Sequence, residues 1–277
     1  MKNRINRILS YFVLIVLSIM CLFSFYLLIV NSTRAHSQIQ KGFSFSFGSF
    51  FGPNLKNVLA NGELPLVKGI INSLKVSSLT ALLATYFSVL TAFAIHSYDF
   101  RFKRIAFTFI MMIMMIPPQV TALGFVRWMA KLGLIDSLLP LFLPSVASPI
   151  VFYFMLSYMQ SNLPKAMIEA ARMDGASELR IFNQIVIPVM KPAIAVQAIF
   201  TFVAAWNNYF IPSLIIRSAD MKTLPILVAQ LRSADYLKFD MGQVYMLVFL
   251  AIIPIIIVYI LLSKYIVRGV AVGSVKE

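Results

Sequence analysis

Acidic side chains are scarce in this sequence. Ten Asp and Glu stand against 24 Lys and Arg in 277 residues, only 12% of positions are charged, and there is a single cysteine. Soluble globular domains carry charge on roughly a quarter of their residues. So little charge, with 60% hydrophobic content and a mean hydropathy of +0.86, excludes that class and leaves an integral membrane protein. Cys21 alone rules out an internal disulfide. No P-loop pattern is present to cradle nucleotide phosphates, and no His, Cys, Asp or Glu group has metal-ligand spacing. His36 and His96 lie far apart near span ends. The formal net charge of +14 reads as attraction of the Lys and Arg flanking the apolar runs to anionic lipid, and not as a nucleic-acid groove.

The place of the few acids excludes more. Glu63, Asp99, Asp136, Glu169, Asp174, Glu178, Asp220, Asp235, Asp240 and Glu277 all fall in predicted loops or at span ends. Carriers driven by protons or sodium keep an ionisable group at membrane depth, where its cost demands a use. Without such a relay, energy for uphill transport has to come from another subunit.

What the chain has in abundance is apolar runs. Tyr11 to Val30 is long enough to cross a bilayer and longer than a signal-peptide core, so it is expected to be a retained first span. Five further runs follow: Gly69 to His96, Ile105 to Met129, Leu138 to Tyr158, Pro192 to Ile216 and Met241 to Ser263. The expected fold is all-α, with six transmembrane helices in one core domain (69–263) after a first helix (11–30). Cytoplasmic ends (1–10 and 264–277), an extracytoplasmic loop (31–68) and a second one (217–240) complete it. The head at Lys2, Arg4 and Arg7, the loop at Arg101, the 160–191 segment and the tail hold more than half of the cations, so the positive-inside rule puts both termini in the cytoplasm. The 31–68 loop, with "KGFSFSFGSFFGP", reads as a loop with an amphipathic stretch at the membrane surface. Prolines 117, 118, 140, 144, 149, 212 and 254 punctuate the spans and predict kinks, some of which would line a moving gate.

One polar island interrupts this pattern. "EAARMDGASELRIFNQIVIP", Glu169 to Pro188, carries three of the ten acids between two apolar runs. Pro164 suits the first turn of a short helix, Gly175 the left-handed position past its end, and Ser177 the cap of a second helix with Glu178 in its first turn. Pro188 and Pro192 are expected to break that second helix before the next span. Small residues at Ala166, Ala170 and Ala171 would let another surface approach closely, and so short a helix is marginal in water unless it docks on something.

This stretch resembles the EAA loop of ABC importer permeases: Glu169, Ala170, Ala171, Gly175, Ile185 and Pro188 match at the family spacing, with Ile187 in place of the usual Leu. "KLGLIDS", "WNNYFIPSLI", "TLPILVAQL" and "RGVAVGSVK" extend the likeness to the MalG-like subunit of type I carbohydrate importers, the binding-protein-dependent inner membrane components. The resemblance implies a homologous second permease, two ATPase subunits that bind ATP and Mg, an extracytoplasmic sugar-binding protein and a bacterial plasma (inner) membrane location. It implies no cofactor and no catalytic residue in this chain, and no nucleic acid partner. Glu169, Ala170, Ala171, Asp174, Gly175, Ile185 and Pro188 would then form the ATPase-coupling site, with Glu169 facing a basic group.

For the path, Gln197, Thr201, Ala204 and Asn208 recur at spacings of four, three and four and share a helical face. Trp206, Asn207 and Tyr209 crowd the same level, and Gln119 follows the double proline. Neutral hydrogen-bonding groups with aromatics suit a polyhydroxyl solute. Arg217, Asp220, Lys222, Arg232 and Asp235 fit a polar docking rim for the binding protein or an ordinary solvated loop. Raffinose-type and maltodextrin-type sugars both fit. A permease of the same architecture for a non-sugar solute, and a stand-alone channel or secondary carrier, are the alternatives.

Overall fold

Apolar sequence turns into helix here, and proline marks the start of several of the helices. The computed structural model describes residues 2–61, 64–233 and 239–273, and every regular element among them is helical. In chain order they are α1 (Lys2–Ser32), α2 (His36–Gln40), α3 (Phe51–Ala60), α4 (Leu66–Ser97), α5 (Lys103–Met114) and α6 (Pro118–Lys131), then α7 (Leu139–Phe142), α8 (Pro149–Asn162), α9 (Lys165–Met173) and α10 (Glu178–Ile181). After these come α11 (Ile187–Trp206), α12 (Phe210–Ile215), α13 (Leu224–Arg232) and α14 (Met241–Gly273). Pro118, Pro140 and Pro149 occupy the first turn of a helix, where the missing N–H costs nothing, while Pro192 and Pro254 lie inside one.

Among the described residues, five helical stretches are long and apolar enough to cross a membrane: Arg7–Ser32, Leu66–Ser97, Leu139–Asn162, Glu178–Trp206 and Met241–Ser263. A sixth crossing exists only if α5 and α6 count as one span, for they meet at 97°. The kink expected at Pro117 and Pro118 within the 105–129 run is thus a sharp bend between two separate helices. The residue before a proline avoids the helical region, and Ile116 and Pro117 both precede one; Pro117 is accordingly extended (φ −62°, ψ 131°). Two more expectations change in the same way. The run from 138 starts with α7 and a 3-10 turn (Leu143–Val146) before α8, and the run 192–216 ends as a helix at Trp206, with α12 separate.

The chain forms two units, Met1–Val67 with Leu227–Pro254, and Lys68–Ile226 with Ile255–Glu277. In the first, the Gly/Ser/Phe segment after α1 is ordered. Buried Arg34 donates to the carbonyls of Gly42 and Gln38 and to Asn31 Oδ1. Buried Asn54 of α3 donates to the carbonyls of Ser32 and Arg34 at 2.9 and 3.0 Å. Gly48 crosses so close that a Cβ would sit 2.3 Å from the Thr33 carbonyl, and no other residue fits there. Exposed Phe43, Phe45 and Phe47 gather beside Phe23 and Tyr26 of α1.

In the second unit one core joins Val89 and Phe93 of α4, Phe152, Met155 and Met159 of α8, Ile168 and Ala171 of α9, and Phe182, Val186 and Met190 leading into α11. A smaller cluster packs Met129 of α6 against Ile215, Ile216 and Ile226. The 32 residues of α4 give the unit its long axis, about 48 Å at 1.5 Å per residue.

Candidate coupling and translocation sites

At the C-terminal end of α4 lies the α9–α10 hairpin. Pro164 caps α9 in an extended conformation (φ −60°, ψ 135°). The helix ends in a Schellman arrangement: Ala176 N–H donates to Ala171 O and Gly175 N–H to Arg172 O, both at 3.0 Å, with Gly175 at φ +78°. Open space surrounds the place a Gly175 Cβ would take, so the demand for glycine is one of backbone conformation alone. Ser177 caps α10 by accepting from Arg180 N–H at 3.4 Å. These features follow the sequence reading.

The second arm does not. Ile187 N–H donates to Phe182 O, five residues back, and this π turn over Phe182–Val186 carries the helix past Pro188 without a break. A wider turn shifts the ladder by one residue, so the proline's missing N–H falls where no i−4 bond is required. Glu178–Trp206 is one rod of 29 residues, about 43 Å long. The hairpin's second arm is the start of a span.

Burial sorts the predicted coupling residues. Ile168, 1% exposed, and Ala171 anchor α9 in the core, while Glu169, Ala170, Asp174, Gly175 and Pro188 are exposed and Ile185 is half-buried. Ala171 thus faces its own chain, which corrects the expectation that all three alanines receive another surface; Ala166 and Ala170 do point outward. Among the described residues no cation lies within ion-pairing distance of Glu169. The sequence reading missed the apolar side of this surface: Met173 is 88% and Leu179 73% exposed. The i, i+3 spacing of the anchors Ile168 and Ala171 places Met173 on the opposite side of α9, a signal that was available.

A three-residue clamp ties the hairpin to α4. Arg172 donates through Nε to Glu178 Oε1 (2.7 Å) and through Nη2 to Oε2 (3.3 Å). Its guanidinium lies 5.1 Å from the Tyr98 ring centroid, and the Tyr98 hydroxyl donates to Glu178 Oε2. Burial, and then Glu178, push the Tyr98 phenol up, while Glu178 holds Arg172 firmly protonated. His96 Nε2 donates to the Leu163 carbonyl at 2.9 Å, fixing the turn before α9 to the same helix.

The opposite end of α4 holds the 217–224 segment. Asn72 donates to the carbonyls of Asp220 and Lys222 (2.8 and 3.1 Å), Ser73 accepts from Leu224 N–H (2.8 Å), and Lys68 pairs with the Asp220 carboxylate at 2.8 Å. Asp136, itself at φ +63°, accepts at Oδ1 from the N–H groups of Arg217 and Ser218 at 2.9 Å and from the Ser218 hydroxyl at 3.0 Å. So three predicted binding-protein contacts, Arg217, Asp220 and Lys222, share one loop braced by backbone bonds; Arg232 is exposed, and Asp235 lies outside the described residues, as do tail residues 274–277.

Those donors hold the Asp136 carboxyl below its ordinary range. A depressed folded-state pKa contributes stability that is full above the unfolded value and fades as pH falls through the folded one. Loop protection, read by hydrogen exchange at Arg217 and Ser218, is therefore expected to hold at neutral pH and fall only in acid, below the usual carboxylate range. Asp136→Asn keeps an acceptor and tolerates the left-handed backbone; it should retain most protection, whereas Asp136→Ala should lose it at every pH.

Between the two ends a groove of about 580 Å³ is lined by Pro118, Thr121, Phe125, Trp128, Pro144 and Asn208. Of the predicted path residues, Asn207, Asn208 and Tyr209 are exposed where α11 gives way to α12, and Gln119 is exposed beside the bend. Others separate from them: Trp206 is 2% exposed and stacks on Phe202, Gln197 is buried, and Thr201 is half-buried. The shared face drawn from a continuous helix stops at Trp206, so Asn208 is set by the break and not by the period. Trp128, 60% exposed in the groove, was not foreseen; one of two tryptophans in the chain, beside Arg127, was the available hint.

The family model described as binding-protein-dependent transport system inner membrane component matches residues 84–272. The arabinooligosaccharides transport system permease protein AraQ of Bacillus subtilis (strain 168) is 33% identical over 94% of this chain and 92% of its own length. The lactose transport system permease protein LacG of Rhizobium radiobacter is 28% identical over 100% and 98%. A chain of a bacterial ABC transporter involved in the import of the acidic polysaccharide alginate superposes with a TM-score of 0.80 at 23% identity, over 95% of this chain and 97% of that one.

Proposed function

The chain belongs to the family of binding-protein-dependent transport system inner membrane components and is the permease subunit of an ABC importer; from that premise we propose that its solute is a sugar, an oligosaccharide before a monosaccharide, and that the α9–α10 hairpin couples it to ATP hydrolysis. The observation that carries the coupling is the hairpin's outer surface. An unpaired Glu169 beside exposed Ala170, Met173 and Leu179 suits a partner with one basic group and an apolar cleft. The sugar reading draws on the names of AraQ and LacG. It also draws on Trp128 and Asn208, an aromatic face with a neutral hydrogen-bonding group in one groove.

In this reading ATP and Mg are held by two separate ATPase subunits, and this chain performs no chemistry of its own. A homologous second permease completes the path, an extracytoplasmic sugar-binding protein docks on the 217–224 segment, and both termini of this chain lie in the cytoplasm of a bacterial cell. When the ATPases close, they displace α9. Because the hairpin continues as an unbroken helix to Trp206, the displacement reaches Asn207 and Asn208, where that helix ends. The spans switch from inward-facing to outward-facing and accept the solute.

The test is reconstitution of the complex with its copurifying ATPases and binding protein, followed by uptake of a panel of mono-, di- and trisaccharides, an amino acid and a phosphate ester. Saccharide uptake with ATP is expected. Transport of the amino acid or the ester alone would sink the sugar reading, and transport by this chain without ATP would sink the coupling. Trp128→Ala is expected to lower kcat/KM for uptake by about 2- to 10-fold, the scale of one aromatic contact, with ATP hydrolysis still responding to the binding protein.

A further inference from the structure

Beside the hairpin, a second groove of about 610 Å³ opens between the C-terminal end of α4, the start of α5 and the junction of α8 with α9. Arg101, Lys103, Arg104 and Lys165 line it, with Gln160. The Asp99 carboxylate pairs with Lys103 at 2.9 Å and interacts at longer range with Lys165. Among the described residues no carboxylate lies within ion-pairing distance of Arg101, Arg104 or Lys165. Three cations facing one concavity repel each other, an arrangement that an anion relieves. The floor is different: Ile95, Phe107 and Leu156 are apolar. Along the start of α5, which contributes Phe107 to that floor, the N-cap Phe102 and then Ile105 and Phe109 are exposed.

A free phosphate would use the cations and leave the apolar floor wet. A phospholipid would use both, its phosphate among the guanidinium and ammonium groups and its acyl chains along α5. We propose that this groove binds the headgroup phosphate of an anionic phospholipid. The position gives the site a consequence beyond attachment. Lys165 is the first residue of α9, so a bound phosphate bridges the coupling hairpin to α5 and holds α9 against the membrane surface. The proposal stands apart from the nature of the solute.

The importer complex, purified from its membrane in detergent and delipidated, would be titrated with phosphatidylglycerol or phosphatidylcholine and read by native mass spectrometry, with this subunit released in the gas phase. Phosphatidylglycerol is expected to stay on the subunit and phosphatidylcholine to leave. Arg101→Gln/Arg104→Gln/Lys165→Gln should retain it about a hundredfold less, from three surface cations lost, while Arg127→Gln/Lys131→Gln/Lys222→Gln, elsewhere in the unit, should retain it as the parent does. Equal retention by both triple variants overturns the proposal. So does full displacement by millimolar inorganic phosphate, which would mark a site for a free anion. Retention by the isolated subunit but not by the complex also overturns it, since the ATPase would then cover the groove. If the first triple variant fails to assemble, Lys165→Gln and Arg104→Gln singly should each lower retention about fivefold, and Arg104→Lys should keep it; no loss in either single variant has the same force as equal retention.

Discussion

Replacing Glu169 with lysine is expected to abolish solute uptake by the assembled importer and to weaken its hold on the ATPase by about a hundredfold or more, the scale of one uncompensated charge at an interface. The helix itself should survive. Glu169 is exposed on α9, and Lys matches Glu in helix propensity, so the fold should change by less than about 0.5 kcal/mol. What changes is the sign of a charge on the hairpin's outer face that has no ion-pair partner among the described residues. A basic group of the partner then meets a like charge with little water between. Glu169→Gln, which removes the charge without reversing it, should lose about tenfold on the same scale. Copurification and ATP hydrolysis stimulated by the binding protein measure both. If Glu169→Lys left assembly and stimulated hydrolysis at parental levels, the hairpin would not be the coupling surface.

Breaking the clamp should produce a different phenotype: a complex that assembles and hydrolyses ATP but transports several-fold less solute per ATP. Arg172 and Glu178 are part-exposed, so the ion pair itself is worth about 1 kcal/mol or less to stability. Its importance lies in connection. The pair closes the hairpin across Gly175, and Tyr98 ties both members to the end of α4. Arg172→Ala frees that link while Ile168 still holds α9 in the core, so the ATPase can move α9 without moving α4 in step. The ratio of uptake to hydrolysis is the measurement, because a general loss of stability would lower both together. Arg172→Lys should restore charge but not the paired contacts through Nε and Nη2 or the stacking on Tyr98, and should recover only part of the ratio. The double variant Arg172→Ala/Glu178→Ala also removes the acceptor of the Tyr98 hydroxyl, so it should lower the ratio further than Arg172→Ala alone. A ratio unchanged in Arg172→Ala would dismiss the clamp.

Much of this architecture was legible before any coordinates. Long apolar runs without acids have one stable form in a bilayer, so the spans around α1, α4 and α14 lie close to where hydropathy put them. The α9 turn was legible for a local reason: Gly175 and Ser177 act on backbone groups a few residues away, and no distant contact has to be known. Proline was legible as punctuation but not as geometry. Pro117 and Pro118 turn one expected span through 97°, whereas Pro188 and Pro192, read as a break, lie in a continuous rod. The difference rests on a π turn that single-residue propensity does not encode.

The path residues show the same division. Periodicity placed Gln197, Thr201 and Asn208 on one face, but the ladder ends at Trp206, and the side chains beyond it take direction from the next element. Trp128 joins Asn208 although 80 positions separate them in the sequence, and nothing local announces it.

By itself, then, the sequence determined the solvent the chain lives in, the family and the capped turn of the hairpin, since each depends on composition or on neighbours within a few residues. Only the tertiary structure decided which face of the hairpin is free, what clamps it to α4 and that its second arm runs unbroken into a span. Those are outcomes of packing between segments distant in the chain. Burying Ile168 and Ala171 is what turns Glu169 outward, and their partners lie on α4, α8 and the helix that follows.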